Sequence, residues 1–255
     1  MIDLHRMLLR IEYDGTSFVG WQSQKNGKSI QDEIEVAARK LITTPTRVQG
    51  AGRTDAGVHA MGQAAHLDVP TNYSTHSVMM GINSYLKNLP ITVLSARIVD
   101  ANFNARFDAV ERCYLYRILN RKAPPSLDAF RVWHLRNELD VEAMNQAAKH
   151  LIGKHDFTSF RASQCQAKSP IKTMKLLNVK KIKDEIHVFA NAKSFLHNQI
   201  RNIAGSLVEV GKGKWKPIEI KNILMARDRS LAGPTAPPQG LYLNDVIYPE
   251  KSLNG

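Results

Sequence analysis

Segments with the helical spacing of apolar residues alternate with extended segments along this chain in one fixed order. Arg6 to Tyr13 reads as a strand, turned by Asp14-Gly15. A loop carrying Phe18, Trp21 and Gln22 follows. Ser29 then stands as an N-cap, with Asp32 placed to complete a capping-box-like start. Ile30, Ile34, Ala37, Ala38 and Leu41 fall on one face of a helix, and Thr44-Pro45 ends it. Strands are expected at about 46–50 and 62–68. A second helix is expected from Thr75 to Leu86, with Val78, Met79, Ile82 and Leu86 as its apolar stripe. Leu89-Pro90 stops it, and Ile91 to Val99 is a strand.

The second half repeats the order. Glu111 to Asn120 is a strand, and Lys122 to Phe130, with Pro124-Pro125, is a loop. Asp140 caps a helix with the stripe Met144, Ala147, Ala148 and Leu151, terminated by Gly153. Strands follow at about 171–182 and 185–191, with Asp184 at the turn. Phe195 to Val210 reads as a helix with a seam of Leu196, Ile200, Ile203, Leu207 and Val210. A short helix at about 217–226 precedes a last strand, Leu241 to Ile247. The fold class is therefore α+β: two ferredoxin-like β-α-β-β-α-β halves with antiparallel sheets. Their expected spans are 1–105 and 106–250, joined near 101–108. Helices on one face of each sheet would leave the other face free to line a cleft. The proline- and glycine-rich run from Gly233 to Gly240 should be ordered only if it packs on something, and residues 249–255 read as a frayed tail.

Between the expected strands at 46–50 and 62–68 lies Gly50-Ala51-Gly52-Arg53-Thr54-Asp55-Ala56-Gly57-Val58-His59-Ala60. Glycines open backbone angles closed to other residues and let a ligand approach the chain. One guanidinium and one carboxylate on such a loop suit chemistry, because a nearby cation favours the ionised carboxylate that a nucleophile or base must be. The competing reading is a turn in which Asp55 bonds its own backbone. Two further stretches carry candidate groups. In His197-Asn198-Gln199-Ile200-Arg201-Asn202-Ile203-Ala204-Gly205-Ser206-Leu207, helical spacing of four puts His197, Arg201 and Gly205 on one face. Gly205 would permit close approach of another backbone, and a buried Arg201 needs an anionic partner unless it snorkels to solvent. In Arg112-Cys113-Tyr114-Leu115-Tyr116, the two tyrosines share a strand face, as stacking platforms for bases or as ordinary core.

The string Gly-Arg-Thr-Asp-Ala-Gly-Val-His closely resembles the active-site motif of the tRNA pseudouridine synthase A (TruA) family, and the resemblance extends over nearly the whole chain. It implies two halves fused through a sheet around a basic central cleft. It implies that Asp55 is the catalytic residue, that Arg201 pairs with it, and that Tyr114 lies against the target base, leaving Tyr116 to packing. Arg53 would fill the space of a flipped base or hold its phosphate. Asp55 would act either at C6 of the base or at the ribose. The implied reaction converts uridine to pseudouridine at nucleotides 38 to 40 of the tRNA anticodon stem-loop, with no cofactor and no metal. A homodimer with tRNA lying across both subunits is implied as well. Phe157-Thr158-Ser159-Phe160-Arg161 resembles another family segment, with no role evident from its residues.

Composition agrees with a polyanionic partner. The 255 residues carry a formal net charge of +12, and a protein this basic usually meets nucleic acid. Lys168, Lys172, Lys175, Lys180, Lys181, Lys183, Lys193, Lys212, Lys214 and Lys216 with Arg161 could form a phosphate-binding band, though each alone reads as a solvated charge. Cys113 and Cys165 make neither a disulfide framework nor a zinc quartet, and read as chance thiols in a reducing compartment. His59 and His66 are too few and too isolated for a metal site. Met7 to Ile11 is too short for a signal-peptide core, being broken by Arg10, and no apolar run approaches transmembrane length, so a cytoplasmic location is expected. Two other functions fit parts of the pattern. A non-catalytic RNA-binding module would suit the ferredoxin-like halves but lacks the aromatic-rich strand motif. An Asp-dependent hydrolase or phosphotransferase would need a metal site or a second carboxylate.

Overall fold

The computed structural model describes residues 3–42 and 46–253. The expected helix stop at Thr44-Pro45 and the last two residues of the expected tail lie outside them. Within the tail, Glu250–Ser252 forms a single 3-10 turn. The described residues form an α+β protein of ten strands and five α-helices. Contacts divide the chain into two units, residues 1–112 with 242–255, and residues 113–241. The chain leaves the first unit inside a strand, between Arg112 and Cys113, and re-enters it at Tyr242. The last strand, placed with the second half by sequence order, thus groups almost wholly with the first unit.

The first unit holds β1 (Leu4–Tyr13), α1 (Ile30–Leu41), β2 (Gln49–Gly50), β3 (His59–Pro70), α2 (Thr75–Leu86) and β4 (Ile91–Val99). β1 lies between β4 and β3, antiparallel to both, and β2 pairs antiparallel with β3. Ser29 Oγ accepts the Asp32 N–H at 3.1 Å and donates to the Asp32 carboxylate at 2.7 Å, which closes the expected cap. Alternation along β1 buries Met7, Leu9, Ile11 and Tyr13. Register sets the first three of these beside Leu67, Ala65 and Gln63 of β3, making one buried face.

The opposite face of β3 is covered around His66. The segment after β4 covers it: Phe103 meets the His66 ring edge-on at 6.2 Å, and His66 Nδ1 accepts the Ala105 N–H at 3.1 Å. Burial lowers the His66 pKa, in keeping with an unprotonated acceptor nitrogen. Arg6 fixes the same segment, donating to the Phe103 carbonyl at 2.8 Å and to Asp68 at 2.7 Å.

The second unit holds most of β5 (Glu111–Asn120), then β6 (Trp133–Leu135), α3 (Val141–Lys149), β7 (Gly153–Asp156), β8 (Ile171–Ile182), β9 (Glu185–Ala192), α4 (Gln199–Gly211) and α5 (Glu219–Ala226). The final strand is β10 (Leu241–Ile247), which runs parallel to β3 through Tyr242 and Leu243. Strand order in this unit is β5-β9-β8-β7, with β6 parallel on β5. β6 and β7 were not expected. α4 begins four residues later than the apolar seam suggests, because Asn198 takes a left-handed conformation at φ 59° and stops the helix there. His197 therefore precedes the helix and does not share a helical face with Arg201 and Gly205.

Candidate active site

Asp55 sits between β2 and β3 on a loop whose backbone is held from several directions. Residues Gly20 and Asp55 form an isolated antiparallel bridge, and the Trp21 N–H donates to the Thr54 carbonyl at 3.0 Å. The Tyr13 and Thr54 hydroxyls lie 2.7 Å apart. Burial pushes the Tyr13 pKa up, so the phenol stays neutral there. Gln63 Nε2 donates to the Gly52 carbonyl at 2.8 Å, and Arg112 Nη2 donates to the Ala51 carbonyl at 2.7 Å. Gly57, at φ 75°, turns the chain so that the Val58 N–H reaches the Asp55 carbonyl at 3.1 Å. At the far end His59 Nδ1 accepts the Gly15 N–H at 3.0 Å. The result is a half-buried Asp55 on a loop of fixed backbone, with Arg53 exposed two residues before it. Pre-organisation of this kind suits a nucleophile or base.

Arg201 occupies the first turn of α4. Every other residue of that helix is buried, so Arg201 marks its one opening toward solvent. The guanidinium is not left to snorkel. Its Nε donates to the Ala236 carbonyl at 2.7 Å and its Nη1 to Asn198 Oδ1 at 2.9 Å. The Ala236 N–H returns to the Arg201 carbonyl at 3.1 Å. One turn on, a Cβ at Gly205 would overlap the Pro234 carbonyl oxygen. The expected close approach of another backbone is thus met by the 233–236 loop, which is also the surface that orders this proline-rich run.

A family model described as tRNA pseudouridine synthase matches residues 10–108 and 147–249. The chain belongs to the tRNA pseudouridine synthase family. The tRNA pseudouridine synthase A of Rhodospirillum rubrum is 52% identical over 244 residues, covering 96% of this chain and 88% of that protein. Those of Paramagnetospirillum magneticum and Afipia carboxidovorans are 51% and 52% identical, each over 95% of this chain and over 95% and 99% of their own lengths. As a family member this chain is an isomerase of tRNA uridine.

In this pseudouridine synthase Tyr114 keeps 9% of its surface exposed and meets Phe195 edge-on at 5.2 Å. Tyr116 is fully buried and donates its hydroxyl to the Pro237 carbonyl at 2.7 Å. Several members of the expected phosphate band are committed elsewhere. Arg161 is half-buried and donates to the Cys165 and Ala167 carbonyls. Lys212 and Lys214 both reach the Glu209 carboxylate, at 2.7 and 2.8 Å. Burial alone would raise the Glu209 pKa, but the two lysine hydrogen bonds outweigh it and hold it below its usual value. Lys180 and Lys183, near the β8–β9 turn, remain exposed. Among the described residues no three His, Cys, Asp or Glu side chains converge as a metal-binding group, and no helix is long and apolar enough to cross a membrane.

The residues that hold the Asp55 loop were not singled out from sequence. Tyr13 and Arg112 are far from Asp55 along the chain, Gln63 follows it on β3, and all three show only as polar groups at otherwise apolar strand positions. For Arg112 that was a usable signal, since a buried guanidinium opening an apolar strand needs carbonyl partners; it reaches those of Ala51, Ala109 and Arg106.

Proposed function

We propose that this enzyme isomerises uridine at nucleotides 38 to 40 of the tRNA anticodon stem-loop, with Asp55 as the catalytic residue. The observation that carries the assignment is the half-buried Asp55 on a loop fixed through its own backbone, in a chain of this family. The reaction breaks the C1′–N1 bond, turns the uracil and joins C5 to C1′. The proton leaves C5, and N1 gains one. No electrons are gained or lost overall and no water is consumed, so the stoichiometry calls for no redox cofactor. Arg201 supplies the positive charge that family resemblance sets beside the carboxylate. Tyr114 takes the target base, and Arg53 fills its vacated place or holds its phosphate. Removing a base from the stem costs roughly a few kcal/mol, which phosphate contacts and stacking offset.

The finer fold reading belongs to the same proposal: ferredoxin-like halves, the first carrying the Asp55 loop and the second completing a basic cleft that seats the RNA. The order β4-β1-β3 with β2 beyond it supports this for the first half. A homodimer, with one tRNA across both subunits, completes the reading. Mapping pseudouridine in unmodified tRNA after incubation with the enzyme tests it. Product at 38 to 40 is expected; product confined to other positions, or cleaved RNA, contradicts it.

Two further outcomes follow from the same account. With about five phosphates neutralised, log K for tRNA should fall against log salt by about 0.9 per contact for a duplex, and a KCl titration with almost no slope would contradict a basic seat for the RNA. Tyr114→Phe keeps the ring and its edge contact with Phe195, whereas Tyr114→Ala loses both. Turnover measured on the two variants, each checked by thermal melting, should fall clearly more for Ala. Equal and severe losses would assign the role to the hydroxyl.

A further inference from the structure

Asn202 follows Arg201 on α4 and is completely buried. Such an amide is costly unless its hydrogen-bonding groups are engaged, and both ends are. Its Nδ2 donates to the Phe160 carbonyl at 2.9 Å. Its Oδ1 accepts from the Thr235 hydroxyl at 2.7 Å and from Arg229 Nη2 at 3.0 Å, and that Nη2 also reaches the Thr235 oxygen at 3.1 Å. Ser206, one turn on, donates to the Asn202 carbonyl at 2.8 Å and accepts the Gly233 N–H at 2.9 Å. The 233–236 loop is therefore pinned on both sides of Pro234. The residue next to Thr235 is Ala236, whose carbonyl receives Arg201 Nε.

The second partner of Arg201 is braced from the other direction. Asn198 follows His197, whose carbonyl accepts the Ala162 N–H at 3.1 Å and whose N–H points to Cys165 Sγ at 3.4 Å. Arg161 ties that same turn through the Cys165 and Ala167 carbonyls. Phe157 and Phe160 are fully buried, and Ser159 donates to the Ile223 carbonyl at 2.5 Å, anchoring the segment to α5. The Phe157–Arg161 run, which had no evident role in the sequence, thus supplies the carbonyl for Asn202 and the base for Asn198.

We propose that Asn202, Thr235 and Arg229 form a positioning cluster for Arg201, setting the plane and direction of its guanidinium through the Ala236 carbonyl. None of the three acts on the reacting atoms. The inference rests on the catalytic role given to Arg201 above. Freed from this clamp, Ala236 would drift and the guanidinium would sample other directions, and a displacement near 1 Å at a catalytic group costs on the order of 10²-fold in rate.

Thr235 is exposed, so its hydroxyl is removable without opening a core cavity. Thr235→Val, Thr235→Ser, Arg201→Lys and the double variant Thr235→Val/Arg201→Lys would be compared by single-turnover rate on tRNA, tRNA affinity and melting temperature. Thr235→Val is expected to slow turnover about tenfold with affinity and melting temperature unchanged. Thr235→Ser, which keeps the hydroxyl, should restore the rate. In the Arg201→Lys background the Val change should add nothing, the signature of two residues acting as one unit. A wild-type rate for Thr235→Val beside a slow Arg201→Lys overturns the positioning role and leaves Arg201 in place. Additive losses, or a loss confined to tRNA affinity, overturn it too. A fast Arg201→Lys overturns the catalytic role of Arg201, and the inference with it.

Discussion

Asp55→Asn is expected to lose more than roughly 10³-fold in turnover, about 4 kcal/mol of transition-state stabilisation. The substitution keeps the size and shape of the side chain and removes its charge. An amide is neither a useful nucleophile nor a useful base, so no covalent or proton-transfer role survives it. The loop should stay folded. It is held through the backbones of Ala51, Gly52, Thr54, Asp55 and Val58 and through the Tyr13–Thr54 hydroxyl pair. Affinity for tRNA should change little, since contacts of Lys and Arg to phosphate dominate it. A melting curve beside a single-turnover rate checks both halves of the expectation. An unstable variant would place Asp55 in the loop's scaffold, and a fast one would remove it from the chemistry.

Arg201→Lys should cost on the order of 10²-fold in turnover with the fold retained. The guanidinium engages two acceptors through two different nitrogens, Nε to Ala236 and Nη1 to Asn198. Its rigid plane then fixes the direction of its remaining N–H groups. An ammonium on a flexible stem is a point charge and cannot reproduce that direction. It would also leave one or both oxygens to water or to each other's neighbourhood. A single-turnover assay with the same tRNA reads the effect, and a rate within a few-fold of wild type would remove Arg201 from the catalytic machinery.

Local signals carried most of the fold. α2 and β4 fall at their expected residues, and the Ser29 cap forms, because each is decided by a stripe, a cap or a stop within a few residues. Gly205 was legible as a contact point because a glycine in an apolar helix has few other uses. What was not legible depends on distant partners. β6 is three residues long and exists by pairing with β5. The start of α4 shifted because Asn198 adopts φ 59°, where an apolar seam through Leu196 argues for continued helix. The cover over β3 comes from residues after β4 that read only as a connection. Asp55 and Arg201 each stood out within a motif, whereas Gln63 and Arg112 bond carbonyls of the Asp55 loop and Asn202 the Phe160 carbonyl, and so leave no charge pattern to read.

Tritium release from tRNA labelled at C5 of uridine tests the central claim most directly, because the C5 proton is lost only when C5 bonds to C1′. Run side by side on the wild type and Asp55→Asn, with filter binding of the same tRNA, it should show release by the wild type, none above background by the variant, and comparable binding by both. Release by the variant at the wild-type rate would contradict the assignment of Asp55. Binding without release by the wild type would contradict catalysis itself and leave an RNA-binding protein.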